Sequence, residues 1–195
     1  MWMMMWGLVH AGNVCDDPEK SAEQSAEIQA LFDADKAEHD APTDETEKND
    51  GKRLKSLSKL EKSGLCSVED KLNAAYVLYR SREAEDLHRG HEYAIEAMNA
   101  HLHSAAWMSA ISYDRWQVSQ GLQQRYGSQF TVRPDGRTCM YPVASDATDV
   151  ERKQYALPPI QDAYRRALDA NNYSGDAPTS ANVEARRLFC DLRPW

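Results

Sequence analysis

Ser67-Val-Glu-Asp70, running on into Lys71-Leu-Asn-Ala-Ala-Tyr-Val-Leu-Tyr79, is the stretch on which the fold turns. A serine followed three residues later by an acid forms a capping box, each side chain closing on the other's backbone N–H. Leu72, Ala75, Tyr76, Leu78 and Tyr79 then recur at helical spacing. The same pattern predicts two further helices over about 84–100 and 104–120, joined by short connections. Ala74, Ala75, Ala94, Ala97, Ala100, Ala105, Ala106 and Ala110 let these helices approach closely, as in antiparallel pairs. The stretch is similar to helical-repeat units, but one or two units are too few for a solenoid. It therefore reads as the centre of a compact bundle.

Upstream, Asp17-Pro18-Glu19 supplies a cap, a first-turn proline and an acid at the positive end of a helix dipole. Ile28, Leu31 and Phe32 give that helix a narrow apolar stripe as far as about residue 38. Residues 33–50 carry eight acids and two lysines with almost nothing to bury, which predicts a solvated, mobile linker. A helix over about 50–62 follows, with Leu54, Leu57 and Leu60 on one side, a solvated basic face elsewhere, and Gly64 closing it. Its Ser56-Leu-Ser-Lys59 matches the Ser-x-x-Lys of serine acyl enzymes, but neither companion motif is present.

Downstream, residues 126–132 and 137–141 alternate about the turn Arg133-Pro-Asp-Gly136, which predicts a β-hairpin over about 126–141 packed on the bundle. Asp149 caps a short helix, Pro158-Pro159 interrupts the chain, and a helix covers about 160–170. The tail over 171–195 is rich in Gly, Pro and Ser, with a last helix expected around 183–190 and Trp195 docking the end. The fold class is therefore mainly α, a single helical domain over 16–170 with one hairpin.

The chain has 195 residues, 42% hydrophobic and 28% charged, with a net charge of −8. Mean hydropathy is −0.72. The size suits one domain. No apolar run approaches the roughly 20 residues of a spanning helix, and the acidic balance argues against nucleic acid or anionic lipid as a partner. Residues 1–15 open with the apolar run Met1-Trp-Met-Met-Met-Trp-Gly-Leu-Val9 and then Val9-His-Ala11, which suits a signal peptide or an apolar N-terminus packed on the body. An exported, periplasmic or secreted location is expected on that ground, a cytoplasmic one otherwise. Cys15, Cys66, Cys139 and Cys190 show no Cys-x-x-Cys spacing. They form two disulfides in an exported chain or stay buried thiols in a cytoplasmic one.

His88, His91, His101 and His103 fall within sixteen residues. A helix rise of about 1.5 Å per residue holds His88 and His101 roughly 20 Å apart, so the four cannot share one ion, and neither a metal nor another cofactor is expected. His91, on an apolar helix face, is a core histidine or a general base. The denser signal is Tyr113-Asp-Arg115 at the end of an apolar helix, followed by Gln123, Arg125, Tyr126, Gly127, Ser128 and Gln129. So many hydrogen-bonding groups around one glycine bend line a polar pocket or satisfy the backbone of a helix-to-strand junction. The candidate ligand-binding residues are Asp114, Arg115, Gln123, Tyr126 and Gln129. The candidate catalytic residues are His91, Arg115, Tyr126 and Ser128.

Asp114-Arg115, Gly121-Leu-Gln-Gln-Arg-Tyr-Gly-Ser-Gln-Phe130, Pro142, Asp149, Arg152 and Leu157-Pro-Pro159 together resemble the signature of a bacterial domain family of unknown function. Its members read Asp-Arg, then Gly-x-x-Gln-x-Tyr-Gly-Thr-Gln-Phe, then an Arg ahead of a Pro-Pro pair. Asp50, Arg53, Asp70 and Ala74-Ala75 extend the resemblance to roughly residues 22–170. It implies a helical fold and strengthens the site without assigning an activity. Two positions depart from it: Tyr79-Arg80-Ser81 stands where members have Gln-His-Gly, removing a histidine, and Ser128 replaces a Thr while keeping the hydroxyl.

No glycine-rich phosphate loop, Gly-x-Ser-x-Gly elbow, His-Glu-x-x-His or dinucleotide fingerprint is present. The function expected is a non-catalytic helical binding module, with a polar pocket at the bundle-hairpin junction for a polar small molecule or a protein segment. The alternatives are a small hydrolase or transferase, with His91 as base, Arg115 as anion anchor and Tyr126 or Ser128 near the reacting atom, and a purely structural role for the signature. The catalytic version requires His91, Arg115 and Tyr126 to surround one hollow.

Overall fold

The computed structural model describes residues 13–172 together with Phe189 and Cys190. The expected leader, the expected helix around 183–190 (apart from its last two residues) and the docking of Trp195 lie outside those residues. Seven helices and one hairpin make up the described chain: α1 (Pro18–Asp40), α2 (Thr46–Leu60), α3 (Val68–Leu78), α4 (Ala84–Asn99), α5 (His103–Ser119), β1 (Phe130–Val132), β2 (Thr138–Met140), α6 (Asp149–Gln154) and α7 (Ile160–Asp169). The architecture is mainly helical, as expected, with a single antiparallel hairpin.

The capping box forms: Asp70 N donates to Ser67 Oγ at 2.9 Å, and Ser67 N donates to the Asp70 carboxylate at 3.2 Å. Ser25 of α1 donates to the same carboxylate at 2.8 Å, so the cap of α3 also fastens α1. α3, α4 and α5 pack successively through small residues, with Ala75, Ala94, Ala97 and Ala105 fully buried beside Leu72, Met108 and Ile111. α3 and α4 meet so closely at Gly90 that a β-carbon there would stand 3.0 Å from Leu78 Cβ. Leu57 of α2 joins Ala74, Val77 and Leu78 in an adjoining cluster.

The acidic stretch is not the mobile linker that its composition predicts. α1 continues through Asp40, α2 begins at Thr46, and only residues 41–45 connect them. Asp35 and Glu38 meet cations distant in sequence, and Asp50 meets one three positions on. Arg80 grips Asp35 through Nε and Nη2 at 3.1–3.2 Å, and Arg53 pairs with Glu38 at 2.6 Å and with Asp50 at 2.5 Å. Asp35 is 1% exposed and Arg53 8%. The stretch is polar because it forms an internal ion-pair seam between α1, α2 and the end of α3. Asp17 caps α1 as expected, accepting from Glu19 N and Lys20 N.

The hairpin is shorter than the alternating pattern suggests. Phe130 pairs with Met140, Thr131 with Cys139 and Val132 with Thr138, while residues 126–129 leave the ladder and fold against α5. Thr148, one residue before Asp149, caps α6, and Asp149 instead accepts from Ile160 N at 2.7 Å, bridging α6 to the start of α7. Cys15–Cys66 ties the start of the described chain to the entry of α3, and Cys139–Cys190 ties Cys190 to the hairpin. No helix among the described residues is long and apolar enough to cross a membrane.

Candidate functional site

Asp114 sits near the end of α5, fully buried, and its carboxylate spans the bend that follows the helix. Oδ1 accepts from Arg125 N at 2.7 Å and from Tyr126 N at 2.8 Å; Oδ2 accepts from Ser128 N at 2.9 Å and Ser128 Oγ at 2.8 Å. Burial pushes this carboxyl above the usual carboxylate range, while the three backbone donors and the Ser128 hydroxyl pull it down.

Gln124 closes the other half. Its Nε2 donates to Tyr141 O at 2.6 Å and Gln129 O at 3.2 Å, and its Oε1 accepts from Gln129 N at 2.8 Å. Gln129, also buried, donates through Nε2 to the Tyr79 hydroxyl at 3.0 Å and Ile111 O at 3.2 Å. Backbone groups that leave both helix and ladder need partners, and these three side chains supply them.

The structure separates the sequence-derived candidates. Asp114, Tyr126, Ser128 and Gln129 come together at the junction, but Gln123 does not. It is exposed, and its neighbour Gln124 occupies the buried place. The chain reverses at Gly121, with φ of +74°, and that reversal selects which glutamine faces inward. Tyr126 is buried, with its ring 6.0 Å from that of Tyr113 and 4.7 Å from that of Tyr155. Burial holds its hydroxyl protonated far above the ordinary tyrosine range. Arg125 turns outward to Glu151 and Asp146, each at 2.7 Å.

His91 and Arg115 lie on different sides of α5, and none of the hollows described among these residues has His91, Arg115 and Tyr126 together on its walls. The Nδ1 of His91 lies 3.0 Å from Ser109 O and its ring 5.2 Å from that of Tyr113, so it packs on the α4-facing side of α5. Arg115 follows Tyr113 by two positions, roughly 200° around the helix, and its guanidinium lies 4.9 Å over the ring of Tyr79. Burial lowers the His91 pKa and favours the neutral imidazole. The geometry is that of a core histidine bonded to a carbonyl. Of the other histidines, His88 packs on Trp116 with ring centres 4.2 Å apart and planes tilted by 42°, and His101 occupies the α4–α5 turn with φ of +66°.

Three potential metal ligands do approach one another among the described residues, but elsewhere. Donor atoms of Asp35, His39 and Asp50 lie within 4.8 Å. Both carboxylates are already held by Arg80 and Arg53 in the ion-pair seam.

The outer rim of the junction is open. A hollow of about 180 Å³ lies between α3, α5, the Ser128 bend and α7. Tyr76, Tyr79 and Trp107 wall it, Ile111 and Leu157 add aliphatic surface, Ser128 brings the junction to its edge, and Arg80 and Arg166 supply charge. Trp107 is 40% exposed, so its indole is reachable from solvent at the mouth of the hollow. Of these eight, only Ser128 is among the sequence-derived site residues. The others are scattered over three helices and a loop, and no local pattern joins them. Arg115 lines a separate cleft of about 560 Å³ on the α2 side.

Compared with family models, curated proteins and solved structures, the chain matches none.

Proposed function

We propose that this protein is a non-catalytic helical binding module whose ligand enters the hollow on the rim of the bundle-hairpin junction. The observation that carries this reading is the division of labour at the junction. Asp114 and Gln124 spend their polar atoms mainly on backbone and Gln129 ties Ile111 O to the Tyr79 hydroxyl, while Tyr76, Tyr79 and Trp107 line an open hollow beside them. Pockets for drug-sized ligands run from about 300 Å³ upward. At about 180 Å³ this hollow suits a small molecule or one side chain of a protein segment. The catalytic alternative has no support from the positions of His91 and Arg115. The two disulfides favour an oxidising, exported setting for the module.

A fragment screen by ligand-observed NMR tests this directly. Fragments that bind are expected to shift the Trp107 indole resonance and to lose binding in Trp107→Ala, whereas Tyr126→Phe lowers only the melting temperature. Hits that leave Trp107 untouched, or no hits at all, would refute the assignment of the hollow.

A further inference from the structure

Three hollows meet at Arg80, and they differ in charge. The cleft of about 560 Å³ contains Asp44, Glu47 and Asp50, and the hollow of about 250 Å³ beside α1 contains Asp35 and Asp40. The hollow at the junction rim has Arg80 and Arg166 on its walls and no carboxylate. In a chain of net charge −8, a recess whose walls carry Arg166 and the Asp35-paired Arg80 but no carboxylate is a favourable place for an anion.

The donors there are already oriented. Asp35 holds Arg80 through Nε and Nη2, while Nη1 makes no hydrogen bond among the described residues. Arg166 lies 5.6 Å over the ring of Phe130, and no carboxylate among the described residues is within ion-pair distance of it. A guanidinium fixed in advance loses little freedom on meeting a carboxylate, and its N–H fork matches the two oxygens.

The remaining walls define what the anion is attached to. The rings of Tyr76 and Trp107 pair with each other at 6.4 Å and 31°, and together with Tyr79, Ile111 and Leu157 they give the hollow an apolar, mostly aromatic wall that suits a flat apolar body. Ser128 adds no donor, because its proton goes to Asp114 while its oxygen accepts from Gln129. A hydroxyl-rich neutral ligand would find few partners.

Building on the reading of this hollow as the binding site, we infer that its ligand class is a small organic anion, a carboxylate carried on a flat apolar body.

The test uses the full chain with both disulfides intact and three probes of one shape: benzoate, benzamide and benzylamine. Each is titrated at fixed ionic strength and followed through the Trp107 indole resonance. Benzoate is expected to bind about tenfold more tightly than benzamide, with benzylamine weaker still. Arg166→Gln should bring the benzoate affinity down to about that of benzamide in the same variant. If benzamide binds as well as benzoate, or Arg166→Gln binds benzoate as the wild type does, the anion assignment is overturned while binding in the hollow stands. If none of the probes moves the Trp107 resonance, the hollow itself fails as a site for aromatic ligands and both readings fall.

Discussion

Asp114→Ala is expected to cost about 5 kcal/mol of folding stability and to lower the melting temperature by about 15 °C. The substitution removes one acceptor group and strands four donors: the backbone N–H groups of Arg125, Tyr126 and Ser128, and the Ser128 hydroxyl. Asp114 is fully buried and Tyr126 7% exposed, so water cannot replace the carboxylate without opening the bend. Each buried donor left without a partner costs about 1–3 kcal/mol. Asp114→Asn gives a graded comparison. The amide keeps one oxygen for two of the donors and turns an NH₂ toward the others, so about half the loss is expected. Thermal or urea unfolding of the two variants measures both. A loss under about 1 kcal/mol in Asp114→Ala would show that the bend is not held by this carboxylate.

Gly127→Ala carries the second largest expected effect, about 2 kcal/mol. Gly127 has φ of +66°, in the left-handed region that an L side chain enters at a cost. A β-carbon there would also stand 2.5 Å from Ile160 Cδ1 and 3.3 Å from Arg152 Nη1. Two internal comparisons separate these contributions. Gly136 has φ of +82° and open space around it, so Gly136→Ala bears the backbone cost alone, about 1 kcal/mol. Removing Cδ1 by Ile160→Val should reduce the penalty at Gly127 by about 1 kcal/mol in a double-mutant cycle. Equal penalties at Gly127 and Gly136 would mean that the bend does not press against α7.

Local chemistry made part of this fold legible from the chain. Ser67 and Asp70 lie three apart, and the alanines of α3 to α5 recur at helical spacing, so cap and close packing are both written within a few turns. The seam around Asp35 is not. Its charge is balanced by Arg80, 45 positions away, and a run of acids carries no mark of where its cations will come from. The buried side of the junction was readable at Asp114, Tyr126 and Gln129, because polar groups crowding a glycine bend must satisfy backbone. The choice of Gln124 over Gln123 depends on the reversal at Gly121, which residue types alone do not specify. The hollow was the least legible. Tyr76, Trp107, Leu157 and Arg166 come from four separate segments, and each alone resembles an ordinary core or surface position.

The signature bend is thus a closed polar clasp that supports an open hollow. The most direct test is native-state hydrogen exchange of the Tyr126, Ser128 and Gln129 amides, whose acceptors are Asp114 Oδ1, Asp114 Oδ2 and Gln124 Oε1. With the clasp closed, these three amides, although outside helix and ladder, exchange as slowly as the core amides of α5, through global unfolding. Exchange at the rate of an exposed loop would contradict the clasp and return its side chains to solvent.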